Sequence, residues 1–133
     1  MDSDAAIKEF ERCWPWIESA LDRFAYKHDG KVWLTHNKEH VWERITSGKS
    51  IFWPGKACAI ISEIAISPTG LKTHVTWLAG GDLEEIAELM EKVEEFGRLK
   101  GCQRQVGNGR RGWLRVFKGY EEHGVRKAKD LCT

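Results

Sequence analysis

The sequence lacks long apolar runs, and its few cysteines form no recognisable motif. No stretch of the 133 residues approaches the ~20 consecutive apolar residues that a membrane-spanning helix needs. The acidic start Met1–Asp4 also lacks the basic and apolar regions of a signal peptide. The cysteines lie far apart, which excludes a zinc knuckle and a Cys-x-x-Cys redox motif and favours buried free thiols at Cys13, Cys58, Cys102 and Cys132. We therefore expect a cytoplasmic, reduced protein that makes no contact with a membrane.

Net charge is also nearly absent, at +1 near neutral pH. This excludes a general attraction to nucleic acid or acidic lipid, so that electrostatic recognition must come from a local patch. A hydrophobic fraction of 41% with a charged fraction of 31% is typical of a globular chain, and the length suits one domain spanning residues 1–133. Seven tryptophans predict an aromatic-rich core.

Apolar periodicity predicts an alternation of helices and strands. Apolar residues three and four apart predict a helix over 7–24, kinked or restarted at Pro15, and a second helix capped by Thr35 and closed by Gly48. Strands are predicted at 51–53, 57–66 and 72–78, the last two antiparallel and the 57–66 strand buried on both faces. Asp82 caps a third helix that ends at Gly101, and the strand at 102–106 should lie parallel to 72–78. A short helix over 111–117 and an extended segment after Gly119 complete an α/β (α+β) arrangement.

The segment Arg111–Tyr120 resembles the C-terminal part of the GNAT N-acetyltransferases. Phe117, Lys118, Gly119 and Tyr120 match an aromatic residue, a basic residue and the glycine-aromatic pair that opens the family's last strand. The segments Trp77–Leu83 and Gly109–Trp113 also resemble small GNAT-like proteins encoded by tailed phages and prophages. The resemblance implies a single GNAT-like domain with a mixed central sheet flanked by helices.

Two departures from the family bear on its chemistry. Acetyl-CoA-binding members carry a Gln/Arg-x-x-Gly-x-Gly/Ala loop whose amides hold the pyrophosphate, whereas the junction Leu78–Leu83 is shorter and has no Arg or Gln. The Asp82 carboxylate would itself accept hydrogen bonds from the backbone amides at the start of the helix. Phe117 stands where many active members use a tyrosine as general acid. The resemblance therefore implies a degenerate acyl-CoA site in a binding or assembly protein of phage origin, in the host cytoplasm or in the virion, that requires no cofactor.

The alternative is an acetyl-CoA-dependent N-acyltransferase with a variant pyrophosphate loop. The amides of Gly80 and Gly81 and the side chain of Arg110 or Arg111 would then replace the missing phosphate contacts, and the other cofactor-binding candidates are Leu78 and Asn108. Glu63 is the candidate general base, because burial would raise its pKa. A salt-bridged or edge-exposed glutamate is the competing interpretation of Glu63.

Charge is unevenly distributed along the second half of the chain. Residues 98–118 carry seven basic side chains and no acidic one, whereas residues 82–95 carry seven acidic side chains against Lys92. We interpret Trp113, Arg115 and Lys118 as a surface for an acidic protein partner of phage or host, with nucleic acid as a salt-sensitive alternative. Two ordinary solvated surfaces would give the same pattern. His36–His40 spells H-x-x-E-H, which we interpret as a polar helix start and not as a metal site.

Overall fold

The computed structural model describes residues 3–108, 113, 116–124 and 127–131. Its elements form a single α+β domain with three helices and a mixed sheet in the described part of the chain. In chain order they are α1 Ser3–Asp22, β1 Tyr26–His28, β2 Lys31–Trp33, α2 Lys38–Thr46, β3 Ile51–Pro54, β4 Cys58–Ile66, β5 Lys72–Gly81, α3 Leu83–Leu99 and β6 Arg104–Gly107. None of the described helices combines the length and apolar character needed to cross a bilayer.

The main sheet has the strand order β3-β4-β5-β6. β4 is antiparallel to both neighbours, and β6 lies parallel to β5, which confirms the predicted crossover through α3. The β4–β5 register shifts between Ile61 and Ser62, so that Trp77 is left as an extra residue on β5. Such a bulge bends the strand and increases its twist.

The sheet separates two apolar clusters, because neighbouring strand residues point to opposite faces. Ile61 packs on one face with the buried stripe of α1, which includes Phe10 and Ile17. Ile60 packs on the other face with Ile86 and Val93 of α3. The domain is therefore a sheet with α1 and α2 on one side and α3 on the other.

The structure corrects the predicted boundaries of the first two helices. α1 runs without a restart through Pro15. The N-cap of α2 is Asn37 and not Thr35: the Asn37 side chain accepts from the His40 amide at 2.9 Å, and His40 Nδ1 accepts from the Asn37 amide at 3.0 Å. This reciprocal capping satisfies two amide groups that the helix cannot satisfy by itself.

Two further predictions were wrong in part. Burial on both faces holds for β4 only from Cys58 to Ser62, and Ile66 at the strand end is 67% exposed. The predicted last strand does not appear in residues 120–124 or 127–131. Gly119, which precedes this segment, and Gly124 within it have φ values of 83° and 84°, which interrupt an extended chain. Most of the predicted helix over 111–117 lies outside the described residues.

Candidate functional site

A cavity lies where the pairing between β5 and β6 ends. β6 pairs with β5 only from Thr73↔Arg104 to Thr76↔Gly107, whereas β5 continues to Gly81. The cavity has a volume of about 300 Å³. Its lining comes from both strands, from α3 and from the C-terminal segment, and includes Thr76, Met90, Gln105, Asn108, Trp113, Phe117 and Tyr120. This opening is the candidate functional site.

The end of β5 passes almost directly into α3. β5 stays paired with β4 through Gly81↔Cys58, and α3 begins at Leu83, so that Asp82 alone separates strand from helix. The Asp82 carboxylate accepts from the Glu85 amide at 3.0 Å, which confirms the predicted N-cap. The junction therefore contains no loop that could fold around a ligand.

A second carboxylate reinforces the negative charge at this helix start. Glu85 Oε1 accepts from the Ala57 amide at 2.9 Å and from the Cys58 thiol at 3.1 Å. The Ala57 amide, followed by the thiol, lowers the pKa of Glu85, while burial and the Glu85 carboxylate raise the pKa of Cys58 to about 12. With Glu84, the first turn of α3 thus holds two acidic side chains beyond the Asp82 cap.

Backbone packing explains both glycines of the junction. A Cβ atom on Gly80 would lie 2.2 Å from the carbonyl oxygen of Trp16 in α1. Gly81 has a φ of 110°, and a Cβ atom there would lie 2.4 Å from the carbonyl oxygen of Ala57. Neither contact leaves room for a methyl group, so that both residues are required to be glycine by the fold itself.

Arg23 reaches the part of β5 that β6 leaves open. Its Nη2 atom donates to the carbonyl oxygen of Ala79 at 2.6 Å, and its guanidinium lies 5.1 Å from the ring centroid of Trp113. The side chain therefore ties the segment after α1 to the β5 edge and to a wall of the cavity. Nothing in the sequence around Arg23 signals a contact with Ala79, because the two residues are far apart in the chain.

Comparison with known proteins identifies the architecture. Neither a family model nor a curated protein sequence matches the chain. Three solved structures are similar: a probable acetyltransferase (TM-score 0.56, 10% identity, 71% of this chain and 74% of that chain), an acetyltransferase of Trypanosoma brucei (0.58, 12%, 85% and 89%) and an aminoglycoside 6'-N-acetyltransferase of Acinetobacter haemolyticus (0.56, 10%, 98% and 96%). The fold is GNAT-like. At these identities the likeness extends to the fold and no further.

The remaining predicted cofactor-binding residues occupy different places in the GNAT-like fold. Leu78 is buried in the cluster under α1, whereas Asn108 lines the cavity. Arg110 and Arg111 lie outside the described residues. No group of three or more His, Cys, Asp or Glu residues suited to a metal occurs in the described ranges.

The predicted partner-binding residues fall beside two different depressions. Trp113 lines the cavity. Lys118 lines a neighbouring surface depression together with Arg98 and Arg104. Arg115 lies outside the described residues. The role of this surface in partner binding remains a prediction.

Glu63 occupies the salt-bridged setting that its competing interpretation described. Its carboxylate pairs with Arg44 of α2, and it accepts from Ser50 Oγ at 3.3 Å. The side chain thus lies on the α1–α2 face of the sheet, whereas the cavity is walled by Met90 of α3. Its catalytic role remains a prediction.

A buried polar network that the sequence analysis missed leads to the cavity. The His74 side chain is fully buried, with Nδ1 at 2.9 Å from Gln105 Oε1 and Nε2 at 2.8 Å from Ser62 Oγ. Because the amide oxygen of Gln105 can only accept, Nδ1 carries the proton and Nε2 accepts from the hydroxyl. Trp53 Nε1 donates to the same hydroxyl at 2.9 Å, and Gln105 Nε2 donates to Thr76 Oγ1 at 3.1 Å. Burial lowers the pKa of His74.

Proposed function

We propose that this GNAT-like domain is a binding protein that does not use acetyl-CoA. The direct passage from β5 to α3 through Asp82 carries the proposal. A helix start binds a pyrophosphate through free amides and the positive end of the helix dipole. Here the Asp82 carboxylate takes one of those amides, and Glu84 and Glu85 add negative charge beside it. The negative charge at the start of α3 would therefore repel an anionic ligand such as a pyrophosphate.

The packing of the junction supports the same proposal. The main chain at Gly80 and Gly81 lies against the carbonyl groups of Trp16 and Ala57, which leaves the junction no freedom to rearrange around a phosphate. Arg23 already donates to Ala79 at the open part of β5. A cofactor chain laid along that edge would have to displace this hydrogen bond.

The proposed ligand is a protein partner that enters the cavity between β5 and β6. The cavity is lined by the aromatic residues Trp113, Phe117 and Tyr120, and aromatic residues are enriched at the centres of protein contact sites. The resemblance to small proteins of tailed phages and prophages suggests an assembly partner from phage or host.

The divergence of β5 from β6 beyond their last paired residues favours a second candidate, an acetyl-CoA-dependent N-acyltransferase. A cleft between two diverging strands with a cavity of about 300 Å³ offers room for an acyl group. That candidate needs phosphate contacts from Arg110 or Arg111 and a base in Glu63, although the Glu63 carboxylate pairs with Arg44 and is not among the residues that line the cavity. It requires both cofactor binding and proton transfer.

Calorimetric titration with acetyl-CoA separates the two candidates. We expect no binding at millimolar cofactor. Micromolar binding that is lost in an Arg110→Ala/Arg111→Ala double variant, and retained in a Lys127→Ala/Lys129→Ala control, would favour the acyltransferase and contradict our proposal. The Asp82→Asn variant keeps a capping acceptor but removes the charge. Cofactor binding that appears only in this variant would support the exclusion by the Asp82 carboxylate.

A further inference from the structure

The two outer strands of the main sheet differ in what they offer to a further strand. In the described part of the chain these outer strands are β3 and β6. An outer strand presents unpaired amide and carbonyl groups along its free side. β3 ends in Pro54, which has no amide donor, whereas β6 contains no proline. β6 is therefore the edge better suited to the addition of a strand.

The free side of β6 borders a surface depression. Apart from its pairing with β5, β6 makes no main-chain hydrogen bond to a described residue. The depression has a volume of about 810 Å³, and its described lining comes from β6, from the end of α3 and from residues 118–121 and 123. None of these residues belongs to β5. The depression therefore lies on the side of β6 that faces away from β5.

The lining of this depression is positive on balance. Its lysine, arginine, aspartate and glutamate residues in the described part of the chain are Arg98, Arg104, Lys118, Glu94 and Glu121. Glu94 Oε2 accepts from the Tyr120 hydroxyl at 2.5 Å, so that this carboxylate already has a donor. Arg98 pairs with Glu95 at 3.3 Å, but a pair that is exposed on both sides is weak. The balance of charge favours a negatively charged ligand.

Arg104 is held at the edge and keeps part of its guanidinium available. It is paired with Thr73 of β5, and its Nε atom donates to Thr73 Oγ1 at 2.9 Å. None of the described residues accepts from its two Nη groups. A guanidinium presented in this way can donate in a fork to a single carboxylate. The geometry therefore favours an Asp or Glu side chain as the ligand of Arg104.

Positive charge lies on both faces of the edge. Side chains alternate along a strand, so the side chain of Gln105 lies on the face opposite Arg104. That face is the one covered by α3, because a Cβ atom on Gly97 of α3 would lie 3.4 Å from Gln105 Oε1. Arg98 and Lys118 line the depression beside α3. An added strand would therefore meet positive charge through the side chains on both of its own faces.

We propose that the outer edge of β6 binds an extended acidic segment of a protein partner as an additional strand of the sheet. The inference takes the protein partner from the proposed function but assigns it a surface outside the cavity. Main-chain hydrogen bonds would hold the segment to β6, and its carboxylates would pair with Arg104 on one face and with Arg98 and Lys118 on the other. The β6 strand of a second copy suits this edge less, because it would bring another arginine to it.

The first test compares an acidic peptide with its neutral counterpart. A capped octapeptide with the repeat Glu-Glu-Val-Val carries carboxylates on both faces of a strand, and the control peptide has glutamine in place of glutamate. We expect the acidic peptide to bind at least about tenfold more tightly in calorimetry. In a chemical-shift titration the largest amide shifts should fall in residues 104–107. Equal affinities, no binding at millimolar peptide, or shifts remote from β6 would overturn the proposal.

Backbone methylation distinguishes strand addition from simple charge attraction. Only alternate amides of an added strand face the edge to which it binds. Two forms of the acidic peptide are therefore compared, N-methylated at the odd or at the even positions. We expect one form to lose binding and the other to retain it. Equal affinity of the two methylated forms would refute the addition of a strand.

Variants locate the binding at this edge. Arg104→Gln should weaken the acidic peptide about tenfold and leave the glutamine peptide unchanged, while Arg104→Lys, which keeps the charge but not the fork, should fall between. Lys118→Gln should weaken the acidic peptide several-fold. The matched control is Lys8→Gln, which removes one exposed charge from α1 and should have no effect. An equal loss in the control would refute the assignment to β6.

A competing polyanion and the cofactor complete the test. A single-stranded oligothymidylate that binds more tightly than the acidic peptide at the same salt concentration would overturn the proposal. The outcome is independent of the acetyl-CoA titration. Acetyl-CoA binding with intact peptide discrimination would overturn the proposed function but not the peptide edge, and loss of discrimination in a protein that ignores acetyl-CoA would overturn the peptide edge alone.

Discussion

Replacement of Gly80 by alanine should destabilise the domain strongly, although alanine is the smallest possible addition. The new Cβ atom would lie 2.2 Å from the carbonyl oxygen of Trp16, where ordinary van der Waals contact begins near 3.4 Å. The atom in its way belongs to the backbone of α1 and cannot rotate aside. Helix and strand would have to separate by about 1 Å, at a contact where α1 buries its stripe against the sheet.

The magnitude follows from this overlap. Overpacking a core costs about 1–3 kcal/mol, and an obstruction by backbone belongs at the upper end, so we expect a loss of about 3 kcal/mol. The reduced entropy of the unfolded alanine chain returns less than about 1 kcal/mol. The difference between these two values is the net loss in the free energy of unfolding, and it is a substantial part of the 5–15 kcal/mol that typically stabilises a domain. It corresponds to a fall in Tm of roughly 10 °C.

Urea unfolding followed by circular dichroism measures this loss. Gly107→Ala is the matched control, because a Cβ atom there would find its nearest neighbour, Thr76 Cβ, at 3.7 Å. We expect the control to remain within about 0.5 kcal/mol of the parent protein. A Gly80→Ala protein within 1 kcal/mol of the parent would show that α1 does not press on the strand, and Gly80 would then need another explanation, such as the phosphate contact of the acyltransferase candidate.

Two further predictions concern titration and helix capping. His74 is neutral and buried, with a pKa below the ordinary 6.5, whereas a histidine of the unfolded chain takes up a proton below about that pH. The free energy of unfolding should therefore be nearly constant from about pH 6.5 to about pH 8, and it should fall by up to about 1.4 kcal/mol per pH unit below pH 6.5. Burial also lowers the pKa of His36, which therefore contributes in the same direction. A slope that persists in the His36→Asn variant would assign the remaining effect to His74, and a slope that vanishes there would refute that assignment. Asp82→Ala should cost about 1 kcal/mol through the lost N-cap, while Asp82→Asn should cost only a few tenths, as measured by urea unfolding; equal losses would exclude capping as the cause.

Features that depend on neighbours in the chain were predictable. The Asp82 cap, the apolar stripe of α3 and the parallel placement of β6 follow from residues three or four apart and from the handedness of a strand-helix-strand unit. The cap of α2 was misplaced by two residues, because Thr35 and Asn37 are both suitable capping residues. Only the path of the chain decides between them.

The site depended on contacts that no local pattern contains. The network through His74 joins β4, β5 and β6, and its buried histidine could have been suspected only from the alternation of side chains along β5. The aromatic residues of the C-terminal segment were visible in the sequence, but their arrangement with Glu94 of α3 was not.

The sequence by itself determined the fold class, the order of most helices and strands and the acidic start of α3. These properties arise from hydrophobic periodicity and capping, which act over a single turn or strand. The tertiary structure alone decided that Gly80 must be glycine and that Arg23 donates to the carbonyl oxygen of Ala79. It also decided on which face of the sheet the Glu63 carboxylate lies and how the aromatic rings are arranged. Those outcomes depend on the distance between segments that are remote in the chain, and such distances are set by the packing of the whole core.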